Sequence, residues 1–234
     1  MALNKQTGNM YGFIDATWNP ITGQCDFQCE YCYMKRFNLG QVKTSKDFLK
    51  DLKKIKKLNK TNKPGEYTIF IGSGTDICSP KVSNEQIEMV LKELVMFRNI
   101  DFLIQTKNPY RLKQFGQYLG DNIIVCTTIE SNIDIARTNA PDVEKRIYGL
   151  KELSVRRKMI TIEPIFAFLD LETFVELLTQ VDVVQYNIGA NTDHNTNQGK
   201  NKLSEPSSDE IKALVSELKK NAPVHLKSNL KRLL

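Results

Sequence analysis

Residues 11–33 read YGFIDATWNPITGQCDFQCEYCY, an apolar segment that leads directly into three closely spaced cysteines. We predict a β-strand over Tyr11–Trp18, because apolar and aromatic residues dominate this stretch and a proline soon follows it. The loop after the strand places Cys25, Cys29 and Cys32 in the spacing C-x3-C-x2-C. Three thiols this close in one loop can surround a single metal centre.

Short apolar strands alternate with amphipathic helices along the rest of the chain. The further predicted strands are Tyr67–Ile71, Phe102–Lys107, Ile123–Glu130, Met159–Glu163, Val181–Ile188 and Val224–Lys227. The predicted helices are Ser45–Leu58, Ser83–Phe97, Pro109–Leu119, Pro141–Leu153, Leu171–Leu178 and Ser208–Lys220. Because parallel neighbours need a crossover connection, this alternation predicts an α/β fold with mostly parallel strands. No linker or repeat divides the chain, so we predict one domain over residues 1–234.

Most of the predicted strands become polar at alternate positions as they end. The alternating residues are Asp15 and Thr17, Gln105 and Lys107, Thr128 and Glu130, Thr161 and Glu163, Gln185 and Asn187, and His225 and Lys227. Their neighbours are mostly apolar, so each strand would turn one face to helices and one to a shared polar space. Strands of a doubly wound sheet read instead as continuous apolar runs. The pattern favours a partial (β/α)6 barrel of TIM type, with ordinary solvent-facing strand ends as the alternative for any single residue.

The net charge of the 234-residue chain is +6, and it is concentrated in one segment. Residues Lys43–Lys63 hold nine lysines against Asp47 and Asp51, a net +7, which leaves 24 basic and 25 acidic residues elsewhere. The apolar residues of this segment repeat at helical spacing, so the lysines form the solvated face of an outer barrel helix. If the lysine-rich face binds a partner, we expect that partner to be an acidic electron donor such as flavodoxin and not a nucleic acid.

Several protein classes are excluded by the composition. No apolar run approaches the roughly 20 residues of a membrane span, and the N-terminal residues lack the apolar core of a signal peptide. The number of cysteines, five, is odd in a chain without an export signal, which argues against a disulfide framework. We therefore expect a reducing, cytoplasmic location.

Two kinds of metal centre compete for the three-cysteine loop. Structural zinc takes four protein ligands in a closed tetrahedron, and Cys78, Cys126 and His194 all lie far along the chain. A cubane iron–sulfur cluster has four irons, so three cysteines would leave one iron open to a substrate or cofactor. The missing fourth ligand favours the iron–sulfur interpretation.

The spacing C-x3-C-x2-C with Tyr31 before the last cysteine resembles the signature of the radical S-adenosylmethionine (SAM) enzymes. The resemblance implies a cluster loop over residues 19–36 and a [4Fe-4S] cluster on Cys25, Cys29 and Cys32. It also implies that SAM binds the open iron and is cleaved reductively to a 5′-deoxyadenosyl radical, which abstracts hydrogen from a substrate. Ile162-Glu163-Pro164 and residues 106–109 are similar to the spore photoproduct lyase side of this superfamily.

The same resemblance implies roles for residues at the other strand ends. The expected SAM contacts are Tyr31, Tyr33, Gly72, Ser73, Gly74, Thr75, Lys107, Glu130 and Ser131. In that family the glycine-rich segment often ends in glutamate, whereas this chain has Asp76, which we place with the candidate catalytic or substrate residues. The other members of that group are Asp15, Gln105, Glu163, Gln185, Asn187, Asn191, His225 and Lys227. Simple turns, ion pairs and loop packing are the alternative roles.

A small substrate is expected, because little of the chain remains for a second recognition domain. Carboxylate and amide groups would suit the edge of a modified nucleobase, and our interpretation is a lyase of queuine salvage that releases a 7-deazaguanine base. The polar stretch 190–207 would be a lid loop. The alternatives are a radical SAM lyase or repair enzyme acting on nucleic acid, and a non-catalytic metal-binding module.

Overall fold

The structure is a computed structural model that describes residues 3–5, 10–193, 196 and 202–234. The strands are β1 Asn4–Lys5, β2 Ala16–Trp18, β3 Ile21–Thr22, β4 Lys43–Thr44, β5 Thr68–Ile71, β6 Asp101–Thr106, β7 Ile123–Thr128, β8 Arg157–Ile162, β9 Gln185–Ile188 and β10 Val224–Leu226. The α-helices are α1 Phe48–Thr61, α2 Asn84–Leu94, α3 Val143–Lys151, α4 Leu171–Leu178 and α5 Ser208–Leu218. Segments of 3₁₀ helix cover Tyr33–Arg36, Pro109–Tyr118 and Ser228–Leu233.

One large sheet has the strand order β1-β2-β5-β6-β7-β8-β9-β10 in the described part of the chain. β1 pairs with β2 in the antiparallel sense, and every later neighbouring pair is parallel. The parallel strands follow one another in chain order, so all of their carboxyl ends lie at the same edge. The predicted α/β fold with a mostly parallel sheet is confirmed.

The two faces of the sheet carry separate apolar clusters. The outer cluster joins the sheet to the helices, and its strand residues include Ile69, Phe102, Ile104, Val125, Ile160 and Tyr186. The inner cluster consists of Tyr11, Ile14, Phe70, Leu103, Ile124, Cys126 and Met159. Alternate residues of each strand therefore point to opposite faces, as the period of a β-strand requires.

The first strand is shorter than predicted. Only Ala16–Trp18 pairs with β5, whereas residues 10–14 leave the sheet and pack against its inner face. Tyr11 is 2% exposed, and its hydroxyl lies 2.9 Å from both Gln105 Oε1 and Thr161 Oγ1. Burial of this ring and its apolar neighbours stabilises the departure from the sheet, because apolar burial is the dominant favourable term in folding.

Helices occur in the six predicted segments, with one change of type. The capping box predicted for α2 is present: Ser83 Oγ accepts from the Gln86 N–H, and Gln86 Oε1 accepts from the Ser83 N–H. The predicted helix Pro109–Leu119 is instead a 3₁₀ segment that is interrupted at Phe115. The glycine within it, Gly116, lowers its preference for a continuous α-helix.

None of the described helices combines the length and the apolar character needed to span a bilayer.

Candidate metal and cofactor site

The cysteine loop is closed at its base by two short strands that sequence reasoning missed. Ile21 pairs with Thr44 and Thr22 with Lys43 in an antiparallel ladder, so residues 23–42 leave and re-enter the fold at one point. Gly23 has a φ of +130°, and a Cβ there would lie 2.5 Å from the Cα of Val42. Only glycine fits this crossing point.

The three cysteines of the loop are free thiols that lie close to the carboxyl end of β2. Cys29 is 7% exposed, and Cys25 and Cys32 are half-buried. Burial raises the pKa of Cys25 and of Cys32, so a positive centre is needed to hold them as thiolates. These residues fit an iron–sulfur cluster, whose irons supply that charge and are bound by separate cysteines.

The described residues do not form a site for a single metal ion. Among the described residues, no group of three His, Cys, Asp or Glu side chains is placed to hold one metal ion. Cys78 and Cys126 are fully buried in the outer and inner clusters respectively. His194 lies outside the described residues.

The glycine-rich segment after β5 lies directly against the cysteine loop. Gly72 has a φ of +79°, and a Cβ there would lie 2.9 Å from the carbonyl oxygen of Thr75. Thr75 Oγ1 donates to the Gly23 carbonyl at 2.6 Å, and the Tyr33 hydroxyl donates to the Ser73 carbonyl at 3.0 Å. Asn19 Oδ1 accepts from the Gly74 N–H at 2.8 Å. The two loops therefore form one hydrogen-bonded unit.

Asp76 joins this unit to the end of β6. Its carboxylate accepts from Thr106 Oγ1 at 2.7 Å, from the Lys107 N–H at 2.9 Å and from the Cys78 N–H at 2.8 Å. Burial raises the pKa of Asp76, and the hydrogen bonds oppose that rise. The Asp76 carboxylate therefore fixes the position of the Lys107 backbone.

A buried charge cluster lies on the other side of the cysteine loop. Glu130 pairs with Arg146 at 2.6 Å and with Lys107 at 3.7 Å, and it accepts a hydrogen bond from the Tyr31 hydroxyl. Burial alone would raise the pKa of Glu130, but Arg146 and Lys107 lower it below its usual value. Burial likewise opposes the charge of Lys107, yet nearby Cys29 and Glu130 raise its pKa. Lys107 is therefore held as a cation beside the thiols.

Arg146 is a site residue that sequence reasoning missed. It is 3% exposed, and its guanidinium also donates to the carbonyls of Thr128 and Pro141. The sequence did contain a signal, because Arg146 falls on the same helical stripe as Val143 and Leu150. A charged residue inside an apolar stripe is buried only when it is paired.

A cavity of about 790 Å³ adjoins this charge cluster. Its walls include Tyr31, Glu130, Ser131, Arg146 and Phe166. Ser131 Oγ donates to the Ala167 carbonyl at 2.6 Å and accepts from the Ile133 N–H at 3.1 Å. The cavity therefore has fixed polar walls next to the cysteine loop.

The inner face of the sheet carries a polar layer above its apolar cluster. Gln105 Nε2 donates to Thr128 Oγ1 at 3.3 Å, and Gln185 Nε2 donates to Asn187 Oδ1 at 2.7 Å. The Nδ2 group of Asn187 is buried without a hydrogen-bond partner.

Glu163 occupies the same layer and pairs with Lys227. The Lys227 ammonium lies 2.7 Å from Glu163 Oε1 and 4.6 Å from the ring centroid of Tyr11. The His225 ring meets the Tyr11 ring edge-on at 6.4 Å. β10 therefore approaches the segment that precedes β2. In the described part of the chain, no strand pairing joins the two.

One predicted site residue, Asp15, lies apart from the rest. Asp15 accepts from the N–H of Thr68, the first residue of β5, and so lies at the amino end of the sheet. Asn191 is 2% exposed and donates to Thr196 Oγ1 at 3.0 Å. The predicted lid 190–207 is only partly described, because 194–195 and 197–201 lie outside the described residues.

Comparison with known proteins supports the fold and identifies a family. Solved structures that resemble the chain include spore photoproduct lyase complexed with dinucleoside spore photoproduct (TM-score 0.68, 8% identity, covering 94% of this chain and 79% of that one). A variant of that lyase with bound AdoMet and dinucleoside spore photoproduct gives 0.62 and 9%, covering 92% and 64%. Native anSMEcpe with bound AdoMet and Kp18Cys peptide gives 0.55 and 11%, covering 90% and 63%. At such low identity, these matches show a shared fold.

No curated protein matches the sequence. Residues 9–197, however, match the family described as "Protein of unknown function (DUF5131)", and this range contains the cysteine loop and strands β2 to β9. The chain is therefore a member of the DUF5131 family.

Proposed function

We propose that the protein is a radical SAM enzyme, and one observation carries the proposal. The three free cysteines share a single loop beside buried Lys107 and the glycine-rich segment 72–75, at the carboxyl edge of a parallel sheet. The chain shares its fold with solved structures whose names include bound AdoMet. When bound, a [4Fe-4S] cluster and SAM supply reductive cleavage of the SAM sulfonium bond and hydrogen-atom abstraction.

The residues of the chain would bind and orient these groups. We assign Cys25, Cys29 and Cys32 to the cluster, since they are the only cysteines outside the two buried clusters. Backbone carbonyls of 72–75 would accept from the SAM amino group, and the Lys107 ammonium would pair with its carboxylate.

The other proposed SAM contacts are the aromatic and polar groups around the cavity. Tyr31 and Tyr33 would contact the adenine, and Ser131 and the remaining acceptor positions of Glu130 would bind the ribose hydroxyls. Because Glu130 also binds Arg146 and Tyr31, its main proposed role is to position the Tyr31 ring.

The substrate would lie on the inner face of the sheet, in the polar layer of Gln105, Gln185, Asn187 and Glu163. We propose that the sheet curves into a partial (β/α)6 barrel around it, since Lys227 and His225 of one edge contact Tyr11 near the other. Amide and carboxylate groups in one layer suit a modified nucleobase, and we propose queuine, with release of a 7-deazaguanine base, as the first candidate. Asp15, Asp76 and Asn191 would support this layer indirectly.

A second candidate function is lysis or repair of a modified nucleic acid. An exposed surface beside the cysteine loop favours it: Tyr33 and Phe37 are 42% and 46% exposed, and the Arg36 guanidinium lies 5.9 Å and 5.0 Å from their ring centroids. Aromatic rings and arginine planes of this kind stack with unpaired bases.

The test is anaerobic reconstitution with iron and sulfide, followed by SAM and a chemical reductant. We expect 5′-deoxyadenosine to form, and to form faster with free queuine than with queuosine-containing tRNA or a damaged oligonucleotide. Faster formation with either nucleic acid would favour the second candidate, especially if the effect disappears at high salt. A cluster-loaded protein that never forms 5′-deoxyadenosine would leave only a non-catalytic metal-binding role.

We further propose that the lysine-rich face of α1 docks an acidic electron donor, with flavodoxin as the probe. Lys50, Lys53 and Lys57 are exposed on this helix. Changing all three to glutamate should slow turnover with flavodoxin and leave turnover with dithionite unchanged, because a small reductant needs no docking surface on α1. The matched control reverses three exposed lysines elsewhere: Lys212, Lys219 and Lys231. Equal losses in both triple variants would contradict a specific dock.

A further inference from the structure

A short segment between β7 and α3 is hydrogen-bonded along the cysteine loop. The Asn139 N–H donates to the Phe27 carbonyl at 2.7 Å, and the Glu30 N–H donates to the Arg137 carbonyl at 2.8 Å. The side chains of Glu30 and Arg137 form a further ion pair at 3.1 Å. We call residues 137–139 the strap, because they hold the loop from one side.

The middle residue of the strap contacts a cysteine. Thr138 Oγ1 lies 3.3 Å from the sulfur of Cys29, within hydrogen-bond distance for sulfur. The same oxygen lies 3.1 Å from the Phe27 carbonyl and accepts from the Ala140 N–H at 3.1 Å. Thr138 therefore has one hydroxyl proton and two acceptors that could receive it.

Ligation of iron would leave the Cys29 sulfur as an acceptor only. A cysteine that ligates iron carries no proton, so in this pair only the threonine can then be the donor. Turning the hydroxyl toward the sulfur costs little, because the Phe27 carbonyl keeps its bond from the Asn139 N–H. Cys29 is 7% exposed, so water competes poorly for the sulfur.

We propose that Thr138 is a positioning residue that donates a hydrogen bond to the Cys29 sulfur and raises the reduction potential of the cluster. Hydrogen bonds to ligating sulfurs are among the factors that set the potential of an iron–sulfur centre. The bond stabilises the reduced cluster more than the oxidised one, since reduction adds negative charge to the sulfurs. This inference rests on the proposed cluster and adds a residue outside the cysteine motif.

The test compares Thr138→Val with Thr138→Ser in the reconstituted protein. Valine keeps the shape of threonine and removes the hydroxyl, whereas serine keeps the hydroxyl. A redox titration followed by electron paramagnetic resonance should give a lower potential for Thr138→Val and a potential close to wild type for Thr138→Ser. Asn139→Ala is the matched control, because its side chain bonds the Asp26 carbonyl and not a sulfur. Its potential should be unchanged.

The possible outcomes separate this inference from the proposed function. If the wild-type protein forms no cluster, the proposed function fails. If the cluster forms and Thr138→Val keeps the wild-type potential, or if valine and serine shift it equally, the role of Thr138 is wrong. Should Thr138→Val not fold, resonance Raman spectra of the wild-type protein in H2O and D2O decide: an isotope shift of the iron–thiolate bands supports the bond, and identical bands overturn it.

Discussion

Alanine at Cys25, Cys29 or Cys32 is expected to reduce the iron and sulfide content of the reconstituted protein to background. Each thiolate would hold a different iron of the cluster, and no other cysteine of the described chain lies in this loop to replace it. Visible absorbance, together with iron and sulfide assays after anaerobic reconstitution, measures the loss. Formation of 5′-deoxyadenosine should fall to the detection limit in all three variants.

The matched control for these variants is Cys78→Ala. Cys78 is fully buried in the outer cluster, so the substitution shortens a packed side chain without touching the loop. The cluster content should therefore stay at the wild-type level, even if the protein is less stable. Full iron and sulfide in a loop-cysteine variant, or their loss from Cys78→Ala alone, would contradict the ligand assignment.

Replacing Arg146 by methionine is expected to destabilise the fold by about 3–5 kcal/mol, since removing one partner of a buried ion pair leaves the other charge uncompensated. Glu130 would keep its hydrogen bond from Tyr31 and, as its only ion pair, the longer contact with Lys107 at 3.7 Å. Urea unfolding of the cluster-free protein at neutral pH measures the effect. Lys145→Met, next in the sequence, breaks an exposed pair with Asp142 and should change the stability little.

The same ion pair predicts a dependence of stability on pH. The pKa of Glu130 is lowered in the folded state, so its contribution is complete above the ordinary glutamate pKa and disappears as pH falls through the lowered value. The stability difference between wild type and Arg146→Met should therefore shrink on acidification. A difference that is constant from neutral pH to the acid limb would show that Arg146 acts through packing alone.

The parts of the fold that depend on short-range pattern could be predicted from the sequence. Alternation of polar and apolar residues separated the inner face from the outer face, and some of the predicted polar residues contact one another in pairs, such as Gln105 with Thr128 and Glu163 with Lys227. The cysteine spacing located the loop. These features follow from residue patterns over a few positions, and such patterns can be read from a single sequence.

The remaining features depend on contacts between distant segments. Asp15 fits the alternation, yet it caps the start of β5, because the paired part of the first strand begins at Ala16, five residues later than predicted. The burial of Tyr11 on the inner face and the strap across the cysteine loop are both set by tertiary packing. The periodicity of a sequence holds no information about contacts between distant segments, so these contacts are seen only in the structure.

The strap also has a consequence for the order in which the protein is assembled. Phe27 and Thr138 are 111 residues apart in the chain, so the cysteine loop cannot acquire its final shape before β7 and the start of α3 are in place. Closing so long a loop is entropically costly and is completed late in folding. During synthesis the three thiols therefore emerge well before their surroundings exist. If the loop holds the proposed cluster, a cell must deliver iron and sulfide to an almost finished protein, or shield the thiols from oxidation until that moment.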